Sequence, residues 1–179
     1  MRLVIDTNIA HSAGSSDVPM SLYSRKCLNA VREREHVAVF TQQLLEEWGE
    51  HASLVSRRWW RSMAARRRIE RVEGEQFALH LDRACACLSE DKWKEDLRKD
   101  FHLVRAALAA DQTILSNESN FPEYLAIAAH TVNVLSALYY GNPATEGEPC
   151  IEWIKAGAQP IRTRCISNWT ESRVGNHES

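Results

Sequence analysis

Three short runs limit what this chain can fold into. Leu3-Val4-Ile5 and Val37-Ala38-Val39-Phe40 are apolar without a break, and Thr113-Ile114-Leu115 is strand-like, with a β-branched threonine before two apolar residues. A strand with one wet face alternates polar and apolar residues, whereas an unbroken apolar run suits a parallel strand covered on both faces. Helical stripes fill the intervals between these runs. Leu22, Tyr23, Lys26, Cys27, Ala30 and Val31 make one stripe, predicting a helix over residues 21–34. Thr41 is placed to cap a helix starting at Gln42. Strands alternating with helices at this spacing predict an α/β domain. The expected architecture is a three-layer α/β/α sandwich around a mostly parallel sheet of four to five strands.

Further along, residues 52–72 read as one long helix and residues 75–89 as another. Residues 90–98 read as a charged surface segment. Asp100 is expected just before a helix carrying Leu103, Ala106, Ala107 and Ala110. Residues 132–138 read as the fourth strand, residues 143–149 as a loop, and residues 150–158 as a short helix. The reading is a single domain over residues 1–165, followed by a flexible tail over residues 166–179.

With 179 residues and 44% apolar content, the chain can bury a proper core. A net charge of −2 excludes no partner, since local charge matters more than the sum. Five cysteines and no secretory leader predict a reducing, cytoplasmic setting. His80, Cys85 and Cys87 fit no common zinc spacing, so the cysteines read as core residues. The most apolar long stretch, residues 124–140, is too short and too polar to span a bilayer.

Acids follow these apolar runs. Asp6 ends the first, Glu46 and Glu47 lie on the helix after the second, Asp100 precedes the helix before the third, and Glu118 follows the third. Open parallel sheets bind ligands beyond the carboxyl ends of their strands. Carboxylates gathered there repel one another, and Mg²⁺ or Mn²⁺ can offset that repulsion. The spacing therefore points to a metal-dependent site, whose most common use is phosphodiester cleavage. Asn8 and Ser116 would orient water or carboxylates around it. Each acid also has a plain structural reading: Asp6 and Asp100 as helix caps, Glu46 or Glu47 on a solvated helix face, Glu118 in a loop.

A second feature is positive. Arg57, Arg61 and Arg68 fall on one face of the long predicted helix, opposite Val55, Trp59 and Met63. Arginines in such a stripe can bind phosphates, and Trp59 or Trp60 could stack on bases. The alternatives are a core role for Trp59 and a solvated or acid-paired arginine face.

The order Val4-Ile5-Asp6-Thr7-Asn8, Thr41 to Trp48, Asp100 to Leu108 and Ile114-Leu115-Ser116-Asn117-Glu118 resembles the PIN-domain family of nucleases over roughly the first 140 residues. The resemblance implies Mg²⁺- or Mn²⁺-dependent cleavage of RNA. It makes Asp6, Glu47 and Asp100 the first three acids, with Glu47 preferred over Glu46 because it precedes Trp48. Glu118 stands where the family more often has Asp. Many bacterial members are toxins of toxin–antitoxin pairs, so an antitoxin protein and a homodimer are further expectations. The competing readings are an inactive PIN-like module that binds nucleic acid or protein, and a phosphatase of another α/β family. A haloacid-dehalogenase-like enzyme normally has Asp where this chain has Asn8.

Overall fold

The computed structural model describes residues 1–169. Five strands, β1 (Arg2–Ile5), β2 (Val37–Phe40), β3 (Ile69–Arg71), β4 (Thr113–Leu115) and β5 (Tyr139–Gly141), form one all-parallel sheet in the order β3-β2-β1-β4-β5. The helices among the described residues are α1 (Thr7–Ser12), α2 (Pro19–Glu33), α3 (Gln42–His51), α4 (Leu54–Ala65), α5 (His80–Ala86), α6 (Asp91–Leu108), α7 (Phe121–Ala129), α8 (Pro143–Glu146) and α9 (Glu148–Lys155). On one side α2 packs against α1, α4, α8 and α9. On the other, α6 packs against the sheet, α5 and α7. The result is the three-layer α/β/α architecture.

The chain builds outward from β1 to β2 to β3, then crosses back to add β4 and β5 on the other side of β1. The strand order therefore reverses between β1 and β4, which is where open α/β sheets form a crevice. Leu3, Val4, Ile5, Ile114 and Leu115 have no exposed surface, as continuous apolar strands covered on both faces require.

Several expectations are corrected. The helix predicted over residues 52–72 ends at Ala65. Arg67 adopts φ 56°, and the chain turns into β3. Ile69-Glu70-Arg71 has little strand character of its own, and pairing with β2 along the sheet edge decides its conformation. Residues 75–89 are not one helix but a 3₁₀ turn (Glu75–Phe77) followed by α5. Residues 90–98 are largely exposed, as expected, but are not separate from the helix that follows. They supply the first turns of α6, with Leu97 buried inward. Residues 133–137 form a 3₁₀ turn, and the strand starts only at Tyr139. The loop expected over residues 143–149 contains α8 and the start of α9. His11 and Ser12 close α1.

Gly74 shows one place where sequence serves packing directly. It has φ +65°, and a Cβ there would lie 2.7 Å from the Arg105 carbonyl oxygen, so only glycine lets this turn lie against α6. Ile166–Asn168 form a 3₁₀ turn with Ile166 fully buried, so the expected tail does not begin at 166. The rest of that expectation, residues 170–179, lies outside the described residues. Among the described residues no helix is long and apolar enough to cross a membrane.

Candidate functional site

At the β1/β4 crevice, Asp6 follows the last residue of β1 and caps α1. Its Oδ1 accepts from the Asn8 backbone N–H at 3.3 Å. Its Oδ2 accepts from the Ser116 hydroxyl at 2.6 Å, just beyond the end of β4. Ser116 Oγ in turn accepts from Asn8 Nδ2 at 3.1 Å and from the Glu118 backbone N–H at 3.1 Å. Asn8 Oδ1 accepts from the Asn117 backbone N–H at 3.0 Å. Asp6, Asn8 and Ser116 thus form one hydrogen-bonded unit that locks the ends of β1 and β4 together. The cap reading of Asp6 and its place in the crevice hold at once.

Glu47 reaches the same crevice from α3. Its spacing from Asp6 is fixed by their chain neighbours, because the Trp48 indole N–H donates to the Ile5 carbonyl at 3.0 Å. Glu47 Oε1 accepts from Gln43 Nε2 at 3.1 Å and Oε2 from the Thr7 hydroxyl at 3.3 Å. Glu46 faces elsewhere, accepting from Gln42 and lining a neighbouring groove.

Asp100 comes from α6. The sequence placed it at a helix start, but it lies in the middle of an 18-residue helix. Its position therefore owes nothing to capping. It is carried by the packing of Leu97, Phe101, Leu103 and Val104, all buried on α6. Glu118 follows β4 and is more exposed. Asp6, Glu47, Asp100 and Glu118 line one pocket of about 430 Å³, together with Thr7, Asn8, His11, His51 and Lys99.

The electrostatics follow from this crowding. Burial pushes the Asp100 carboxyl up to about 7, reinforced by Asp6, Glu118 and Glu47 and opposed by Lys99. Burial also raises Asp6, while the hydrogen bonds from Ser116 and Asn8 pull the other way. Beneath the acids lies Tyr140, which is fully buried and donates its hydroxyl to the Glu118 carbonyl at 2.6 Å. Burial, with the nearby acids, holds its hydroxyl well above the usual phenol range.

The donor set is oxygen-rich and mutually repulsive, which suits a hard divalent cation. It is not pre-assembled: among the described residues no three His, Cys, Asp or Glu side chains form a ready metal-holding group. Each of Asp6 and Glu47 instead rests on protein donors.

The arginines separate. Arg57 and Arg61 are exposed on α4. With Leu45, Trp48, Gly49, Ala52 and Trp60 they line a groove of about 390 Å³ on a different face of α3 from Glu47. Arg68 lies beyond α4 and pairs with Glu35 at 3.1 Å, so the three do not share one helix face. Trp59 is buried against Trp48 and donates to the Leu28 carbonyl, whereas Trp60 sits at the groove, edge-on to Phe40.

Sequence reasoning passed over Tyr140, Thr7 and His102. Tyr140 carries no local signal, because it enters the site through the sheet. His102 stands two residues after Asp100, and Thr7 directly follows Asp6. Adjacency to an acid was the available clue for both. Comparison with protein-family models, curated proteins and solved structures yields no match to this chain.

Proposed function

We propose that the chain is a divalent-cation-dependent nuclease of the PIN-like kind, hydrolysing phosphodiester bonds in RNA. The observation that carries this reading is that Asp6, Glu47, Asp100 and Glu118, from four separate parts of the chain, line one pocket, where burial and the other three acids push the Asp100 carboxyl up to about 7. A site that strains to hold negative charge gains most from a cation. Asp6, Asp100, Glu47 and Glu118 would hold Mg²⁺ or Mn²⁺, which supplies Lewis acidity and a bound water of lowered pKa.

The protein's own groups do the rest. Ser116 and Asn8 hold the Asp6 carboxylate in one orientation, so its charge is aimed before substrate arrives. Thr7 and Gln43 do the same for Glu47. Lys99, at the pocket wall, offers a positive charge to a phosphate. Arg57 and Arg61 would bind flanking phosphates, with Trp60 as a stacking surface. A toxin role, with an antitoxin that blocks the acids, belongs to the same reading.

The test is incubation of the purified chain with single-stranded RNA and Mn²⁺ or Mg²⁺. Cleavage is expected in the wild type, with at least a roughly 100-fold loss in Asp6→Asn and Asp100→Asn and none with a chelator. Equal cleavage by wild type and variants overturns the proposal. A second reading, an inactive module binding nucleic acid or protein, is favoured by one observation: the acids are engaged by protein donors rather than converged on one point. RNA binding without cleavage under these conditions would select it.

A further inference from the structure

A second hollow, of about 250 Å³, opens beside the acid pocket at the carboxyl ends of β4 and β5, and Glu118 lines both. Two buried polar side chains line it, Arg164 and Asn142. The Arg164 guanidinium pairs with Glu146, donates to the Tyr140 and Pro149 carbonyls at 3.4 Å each, and lies 4.3 Å over the Trp153 ring. Its charge is already balanced.

Asn142 is not so well satisfied, although it is only 3% exposed. Its Oδ1 accepts from the Thr145 backbone N–H at 3.1 Å and caps α8. An amide nitrogen cannot accept, so that contact fixes which end of the side chain is Nδ2. Among the described residues, the hydrogen bonds of Asn142 leave Nδ2 without an acceptor. Glu146 stands next to it, held by the Asn142 backbone N–H at 2.8 Å and by Arg164. Each carboxylate oxygen of Glu146 keeps a further lone pair. An orphaned donor and a fixed carboxylate therefore share a hollow walled on another side by the half-buried indole of Trp169.

Two carboxylates, Glu118 and Glu146, repel a phosphate from this place. A flat neutral ring carrying donors and acceptors suits it better. Single-stranded RNA has such a ring on either side of the bond to be cut, and splayed bases are read by stacking and by hydrogen bonds to their Watson–Crick edges. Guanine alone presents two adjacent donors, N1–H and the 2-amino group, beside one carbonyl. Adenine, cytosine and uracil each present one donor group on that edge.

We propose, building on the nuclease reading above, that this hollow takes the base of a nucleotide next to the scissile phosphate and selects guanine. Asn142 Nδ2 donates to O6, and Glu146 accepts from N1–H and the 2-amino group.

Fluorescence anisotropy with labelled pentanucleotides, in chelator so that nothing is cut, tests this. Each probe is oligoadenylate with guanine, adenine, cytosine, uracil or inosine at its centre. All carry the same charge, so repulsion from the acids is common to them. The guanine probe should bind about 10-fold more tightly than the adenine, cytosine and uracil probes. Inosine, which lacks the 2-amino group, should fall between. Asn142→Asp keeps the cap and the shape but turns the donor into an acceptor, and Asn142→Ser keeps a cap without added charge. The preference should vanish in both, and either one decides should the other fail to fold. With Mn²⁺ instead of chelator, cuts in RNA of mixed sequence should cluster beside guanines. Binding or cleavage blind to the base, equal affinity for guanine and inosine, or a preference that survives the Asn142 variants overturns this inference and leaves the nuclease reading standing. Guanine-selective binding by a chain that cuts no RNA keeps the hollow as a base site and overturns the nuclease reading. No binding to any probe overturns the inference, and the cleavage assay alone then decides the nuclease reading.

Discussion

The two ends of the central strands treat their acids in opposite ways. Where β1 and β4 begin, Asp111 accepts from the Arg2 backbone N–H at 2.8 Å and from Arg2 Nε at 3.1 Å, and Arg2 Nη1 reaches Glu70 at 3.0 Å. Burial pushes Asp111 up, but these contacts outweigh it, and its carboxyl falls below the usual range. Where the same strands end, Asp6 and Asp100 are held above it. Both ends hold carboxylates, but only the first gives them a guanidinium. One edge balances its carboxylates internally and the other leaves them uncompensated, which marks the second as the candidate site.

That contrast can be broken most forcefully with an ion. Mn²⁺ at about 100 times its dissociation constant should stabilise the chain by about 2.7 kcal/mol, raising Tm by roughly 5–10 °C for a domain of this size. Asp6→Asn should remove most of that shift, while Asp111→Asn should leave it intact. Thermal melts with and without Mn²⁺ check this, and a shift equal in all three proteins would erase the distinction between the edges.

The next effect is in pH. Asp100 has a folded-state pKa of about 7 against an unfolded value near 3.8, so the folded chain binds the extra proton. The metal-free fold is favoured by this group at low pH, and that favour is lost as pH rises from about 4 to about 7. Asp100→Asn should therefore be more stable than wild type by roughly 1–3 kcal/mol at pH 8, with the gain vanishing near pH 4. Urea unfolding across that range measures it. A constant difference would mean that neither burial nor the neighbouring acids shift the Asp100 carboxyl.

The smallest effect lies at the balanced edge. Arg2 is about 38% exposed, so Arg2→Met should cost only about 0.5–1 kcal/mol at pH 7. The sign with pH is reversed. Asp111's contribution is present above about pH 4 and lost as pH falls below it. A much larger loss would show that this edge is held by charge rather than by packing.

Much of the sheet could be read from residue patterns. β1, β2 and β4 are short, mostly apolar and β-branched runs between helical stripes, which is how strands buried on both faces read. β3 could not, because Ile69-Glu70-Arg71 takes its conformation from its neighbour β2 rather than from its own residues. The 3₁₀ turn before β5 was hidden for a related reason: Val132 to Leu138 is apolar enough for either state, and tertiary packing decides. Asp6 and Glu118 were locatable because strand ends are easy to find. Asp100 was misjudged as a helix start because the charged turns before it look like a surface loop, although Leu97 faces inward. The arginine stripe failed where β3 did, since Arg68 belongs to the connection and not to the helix.

The indole of Trp48 and the carbonyl of Ile5 act as a caliper. Each belongs to the residue beside an acid, so the gap between two charges is gauged from inside the core. Phenylalanine would keep an aromatic ring there but lacks the N–H, so the jaws would drift, and the site would lose its fit while every acidic residue remained in place.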